Sequence, residues 1–175
     1  VAATKSYIAS LAVFAQLASL WREDAGLGQA LAKLPAALAS AWQEDWSAGV
    51  DMLANTRSHY VLGRGLTLGI AQEAALKCKE TCGIHGEAFS IAEVAHGPMA
   101  LVGPDFPILV FPPLDKAASG LDAVLTTFAA RGAPIALAGD TLPGAIHLPL
   151  ETGLHPVTGP IVMAQSFSRM ANALT

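Results

Sequence analysis

The sequence is short of cysteine, of charge and of long apolar runs, and each shortage removes a class of function. Two cysteines in 175 residues, Cys78 and Cys82, cannot build a disulfide framework. Their C-x3-C spacing has no second Cys or His pair to complete a zinc site, so no metal is expected and reduced thiols of a cytoplasmic protein are the plainer reading. Charged residues make up only 14%, with 10 Lys plus Arg against 14 Asp plus Glu and a formal net charge of −4. A nucleic-acid surface needs a basic face to displace counterions, and no Lys/Arg cluster supplies one, so no nucleic-acid partner is expected. The most apolar stretch, Ile8 to Trp21, is too short to cross a bilayer and carries Ser10, Gln16 and Ser19. It has neither the basic start nor the small-residue cleavage site of a signal peptide, and no membrane association is expected.

What is present is apolar mass. Hydrophobic residues reach 53%, enough for a sizeable core, and 175 residues suit one domain or one domain with appendages. The chain opens at Val1, without Met, and turns helical within a few residues, which is the expectation for a piece of a longer protein. Thr4 to Glu23 reads as a helix capped by Thr4, with Ile8, Leu11, Ala15 and Ala18 at helical spacing and Gly26 and Gly28 breaking it. Leu31–Trp42 and Trp46–Asn55 read as two more, with Pro35 in a first turn. Trp21, Trp42 and Trp46 read as packing between these helices.

From His59 the texture changes. Short apolar strands are expected at His59–Leu62, Pro107–Phe111, Ile135–Ala138 and Ala145–Leu148. Helices are expected at Thr67–Cys82, Lys116–Arg131 and Gly159–Leu174. This alternation predicts an α/β fold, a parallel sheet covered by helices on both sides, with ligand loops at the strand C-terminal ends.

Candidate chemistry lies between residues 63 and 98. Gly63-Arg64-Gly65 lacks the third glycine of a dinucleotide fingerprint and no acidic residue follows at the right distance, while a P-loop is excluded because no G-K-[ST] follows. A tight strand-to-helix turn is the simpler reading, and no cofactor is expected. Glu73, Lys77 and Glu80 fall at i, i+4 and i+7, so two carboxylates and an ammonium share one helix face. That face is either a solvated salt-bridged surface or a proton-transfer site. His96, ahead of Gly97-Pro98, stands where a ring can project into a cleft, and histidine suits proton shuttling near neutral pH. His85 is the weaker candidate.

These residues carry a resemblance. Leu62-Gly63-Arg64-Gly65, Glu73 to Glu80, His85-Gly86-Glu87-Ala88-Phe89 and Glu93-Val94-Ala95-His96-Gly97-Pro98 resemble the sugar isomerase (SIS) domain family of phosphosugar isomerases. That family includes the isomerase half of glucosamine-6-phosphate synthase, relatives without its glutaminase, and SIS-type glucosamine-6-phosphate deaminases. Val1-Ala2-Ala3-Thr4-Lys5 is similar to the V-A-S-T-K segment opening the last helix of the first SIS domain, with Ala3 in place of the serine. The resemblance implies a three-layer α/β/α SIS fold preceded by helices. It divides the chain into a last helix of a preceding SIS domain (1–23), connecting helices (24–57) and a second SIS domain (58–175).

The resemblance also implies roles. Glu80 is the base that moves a proton between C1 and C2, Lys77 lies in the same site, and His96 assists ring opening from the neighbouring subunit of a homodimer. Val1, Ala3 and Glu73 are expected to touch the substrate, a sugar phosphate such as fructose 6-phosphate or glucosamine 6-phosphate. The family's Ser/Thr phosphate loop is absent from these 175 residues. The function implied is aldose–ketose isomerisation of a hexose or hexosamine 6-phosphate, with or without deamination. The alternatives are a non-catalytic sugar-phosphate regulator, or the isomerase part of a glutamine-dependent synthase.

Overall fold

The computed structural model describes residues 3–175. Three helices lead: α1 (Thr4–Trp21), α2 (Ala25–Ala41) and α3 (Ser47–Leu53). Strands and helices then alternate: β1 (Ser58–Gly63), α4 (Leu68–Thr81), β2 (His85–Ser90), β3 (Ile108–Val110), α5 (Leu121–Ala130), β4 (Ile135–Ala138), β5 (Ile146–Leu148) and α6 (Thr158–Ala173). All five strands are parallel, in the order β2-β1-β3-β4-β5. The expected α/β/α sheet is therefore present.

Side-chain alternation along the buried strands divides the core in two. Val61, Leu109, Ala136 and Leu148 face a core shared with α1, α2, α4 and α6. Tyr60, Leu62, Ile108, Val110, Ile135 and Leu137 face the other core, which α5 closes with Leu121, Leu125 and Phe128. Phe111, Phe128 and Phe167 are fully buried, each contributing roughly 2–3 kcal/mol by apolar burial.

Glycine decides two close approaches. A Cβ on Gly63 would lie 2.4 Å from the Thr67 carbonyl oxygen, so only glycine lets β1 turn this sharply into α4. The Thr67 hydroxyl locks that turn, accepting from the Arg64 amide at 3.0 Å and donating to the Arg64 carbonyl at 3.0 Å. The turn reading of Gly63-Arg64-Gly65 is the one the structure bears out. On β2, a Cβ on Gly86 would meet the Ala75 Cα at 3.0 Å and the His59 ring at 3.1 Å, so Gly86 lets α4 lie directly on the sheet.

Several local expectations are corrected. Gly26 and Gly28 do not break a helix but lie inside α2, which starts at Ala25 because Asp24 caps it, its carboxylate accepting from the Leu27 amide at 2.9 Å. Pro35 therefore sits mid-helix rather than in a first turn. Thr4 is not the cap of α1; Ala3 is, with no side-chain bond. Ala18 faces outward, and the inward stripe ends at Ser19, whose hydroxyl donates to the Asp24 carbonyl at 3.0 Å. A fifth strand, β2, stands where no strand was expected. The helix expected over 116–131 splits into a 3-10 turn at Lys116–Ala118 and α5, parted by left-handed Gly120 (φ 84°). Of the tryptophans only Trp46 is buried packing, its indole donating to the Pro149 carbonyl at 2.8 Å; Trp42 and Trp21 are exposed.

Candidate active site

The first link is the α4 helix, whose apolar residues Ile70, Ala71, Ala74, Ala75 and Cys78 are pinned to the sheet. This orientation leaves Glu73, Lys77 and Glu80 along one flank, where α1 crosses. A groove of about 470 Å³ runs between the two helices, lined by Ala3, Ser6, Tyr7 and Ser10 of the α1 end and by Glu73, Leu76, Lys77 and Glu80 of α4. Ligand loops at the strand C-terminal ends were the expectation, yet this groove lies on the helical flank. At the strand ends, Arg64 is occupied in holding the Ser119 carbonyl at 3.3 Å.

Burial separates the two carboxylates. Lys77 is only 5% exposed and its ammonium lies 3.0 Å from Glu73, itself 20% exposed. A cation removed from water to this degree needs its counter-charge, so Glu73 is committed to Lys77. The salt bridge of the first alternative is present, though buried at Lys77 rather than solvated. Glu80, one turn on, is exposed on the groove and has no ion pair among the described residues. One carboxylate positions the cation; the other is available.

Sequence reasoning missed Tyr7. Its hydroxyl donates to the Gly69 carbonyl at 3.2 Å, bridging α1 to α4. Burial, and then the negative charge of Glu73, push this phenol up to about 12, so it stays a neutral donor throughout the physiological range. Ser6 and Ser10 flank it. The signal was latent in the spacing 3, 6–7, 10 on α1, but only the fold reveals that this stripe faces α4.

The other candidates stand apart. Val1 lies outside the described residues. His96 ends a 3-10 turn (Val94–His96), is exposed, and lies outside the groove that holds Glu80. His85 is exposed at the start of the edge strand, with its Nδ1 3.1 Å from the Ser58 hydroxyl. Burial pushes the Cys78 thiol up to about 12, leaving it protonated and unreactive. Among the described residues no three His, Cys, Asp or Glu side chains gather as a metal site, and no helix is long and apolar enough to cross a membrane.

A groove with a buried cation, an unengaged carboxylate and neutral hydroxyls suits removal and return of a proton next to a carbonyl. The SIS domain family model matches residues 52–141. The glutamine–fructose-6-phosphate aminotransferase (isomerizing) of Rhizobium leguminosarum bv. viciae is 35% identical over 93% of this chain, which spans 28% of that protein. The C-terminal domain of the glucosamine-fructose-6-phosphate aminotransferase of Francisella tularensis superposes with a TM-score of 0.85 and 28% identity, over 99% of this chain and 54% of that one. A Silicibacter pomeroyi protein, named only provisionally as a phosphosugar isomerase, superposes with a TM-score of 0.87 and 38% identity, over 99% of this chain and 53% of that one.

Proposed function

Because the chain belongs to the SIS-domain family, we propose that its parent protein is an enzyme interconverting the aldose and ketose forms of a hexose or hexosamine 6-phosphate. The observation that carries this reading is the unequal pair of carboxylates: Glu73 tied to buried Lys77, Glu80 free beside it. In the open-chain sugar, Glu80 takes the proton from the carbon next to the carbonyl and returns it to the adjacent carbon. Lys77 offsets the charge that grows on the enediolate oxygens, in a setting where Glu73 has already fixed its position. The Tyr7 hydroxyl, its proton given to the Gly69 carbonyl, turns lone pairs to the groove, and Ala3 and Glu73 complete the wall. Glucosamine 6-phosphate, with deamination, is the finer substrate assignment. The test is turnover: full-length parent protein is given fructose 6-phosphate with ammonia and, separately, glucosamine 6-phosphate, and interconversion is followed. Conversion of either is the expected outcome. Binding without conversion of these or other hexose phosphates removes the isomerase reading in favour of a regulator.

The reading includes a division of the chain and a second subunit. Residues 1–23 would close a preceding SIS domain, 24–57 connect, and 58–175 form the second. In support, α1 leaves Val13, Phe14, Leu17, Leu20 and Trp21 exposed, an apolar stripe that a neighbouring unit would cover. His96, exposed and outside the Glu80 groove, fits a role across a homodimer interface, working in the cytoplasm. Mixing full-length Glu80→Gln and His96→Ala chains tests this. Heterodimers carry one intact site, so a fraction of activity is expected to return; zero activity in demonstrated heterodimers rejects sharing between subunits.

A further inference from the structure

Gly97 gives the turn that carries His96 no restraint of its own. It has no side chain, a Cβ there would meet nothing within 4 Å, and a glycine backbone loses more freedom on ordering than any other. His96 itself is exposed. Both flanks of this pair are nonetheless fastened. Upstream, Val94 is fully buried and the Ile91 amide donates to the Gly63 carbonyl at 3.0 Å. Downstream, two successive carbonyls are taken. The Tyr60 hydroxyl donates to Pro98 at 3.0 Å, and the Arg131 guanidinium donates to Met99.

The two donors come from different layers of the fold. Tyr60 stands in β1, buried, with its ring edge-on to Phe89 and Phe106 at centroid distances of 5.0 and 4.6 Å. A phenylalanine would fill that space equally well, so what the tyrosine adds is a hydroxyl spent on Pro98. Arg131 follows the last turn of α5, and its charged donor makes the stronger kind of hydrogen bond, across 32 residues of chain. We propose that Tyr60 and Arg131 are positioning residues, a two-point clamp on the Pro98 and Met99 carbonyls that fixes where the turn presents His96. The inference rests on the reading in which His96 works on the sugar, and it adds which side chains aim it. Neither clamp residue lines the Glu80 groove, so both act through His96.

Full-length Tyr60→Phe keeps the ring and drops only the hydroxyl. Arg131→Met, at an exposed position where folding is not at stake, removes the other donor. Hydrogen exchange reads the clamp without any turnover, because the His96 amide is bonded to the Glu93 carbonyl and the Ala100 amide to Gly97, both at 2.9 Å. In each variant the segment 94–102 is expected to exchange about fivefold faster, the loss of one hydrogen bond, while β1 and β3 keep the parent's protection. On whichever hexose 6-phosphate the parent converts, kcat is expected to fall about tenfold with KM within about twofold, since a misplaced group costs rate rather than affinity. Unchanged exchange over 94–102 in both variants overturns the clamp. So does faster exchange there with the parent's kcat, or a loss that lies wholly in KM. A parent that converts no hexose phosphate removes the isomerase reading instead, and the exchange measurement then decides the clamp by itself.

Discussion

Glu80→Gln in the full-length protein is expected to lower turnover by about 10²–10⁴-fold while leaving stability unchanged. Glutamine matches the shape of the side chain and its hydrogen-bonding reach but cannot accept the proton. Because Glu80 is exposed and has no ion pair among the described residues, the fold loses nothing with it. Its neighbour predicts the opposite pattern. Glu73→Gln leaves Lys77 buried at 5% exposure without its counter-charge, which costs roughly 3–5 kcal/mol of folding stability. Steady-state kinetics and thermal melts on the two variants therefore separate base from positioning residue: one loses rate and keeps its melting temperature, the other loses melting temperature first. A Glu80→Gln enzyme within threefold of the parent's rate removes Glu80 from the reaction.

The same asymmetry explains how much of the site could be read in the sequence. The spacing of Glu73, Lys77 and Glu80 places all three on one side of a helix, and helical geometry guarantees that much wherever α4 lies. Their inequality is tertiary. It arises because α1, more than sixty residues earlier, brings Tyr7 to the Gly69 carbonyl and closes the groove over Lys77. No local pattern links Tyr7 to Glu73. The strands divide in the same way. β1, β3 and β4 are buried runs bounded by glycine or proline, and they read clearly. β2 is the sheet edge, where His85 and Glu87 reach solvent and Gly86 serves the packing of α4, so its sequence carries almost no strand signal. The start of α2 was hidden because Gly26 and Gly28 have poor helix propensity; the Asp24 cap and the burial of Leu27, Leu34, Ala37 and Ala41 outweigh that cost. His96 does not line the groove that holds Glu80, and no local pattern relates the two.

Acid is expected to destabilise the protein by about 3 kcal/mol through one residue, His59. It lies on β1 with 0% exposure, and neither ring nitrogen has a hydrogen-bond partner. Burial, with a smaller push from His85, lowers its pKa from 6.5 to about 4. The folded state therefore holds a neutral ring where the unfolded chain binds a proton readily. Between pH 6.5 and 4 the unfolded state carries one more proton than the folded state, so stability rises with pH across that window. The full stability is present above 6.5 and lost below about 4. Other shifted groups fall outside the window: Asp45, held ionised by the Ser47 amide, titrates below 3.8, and Tyr7 and Cys78 titrate near 12. His59→Phe keeps a flat ring under α4 and gives up no hydrogen bond, so it should fold at pH 7 and lose this component of the pH dependence. Urea unfolding of parent and variant at intervals from pH 7 to pH 4 measures the difference. Parallel stability curves for the two proteins would show that His59 is not the group that takes up the proton.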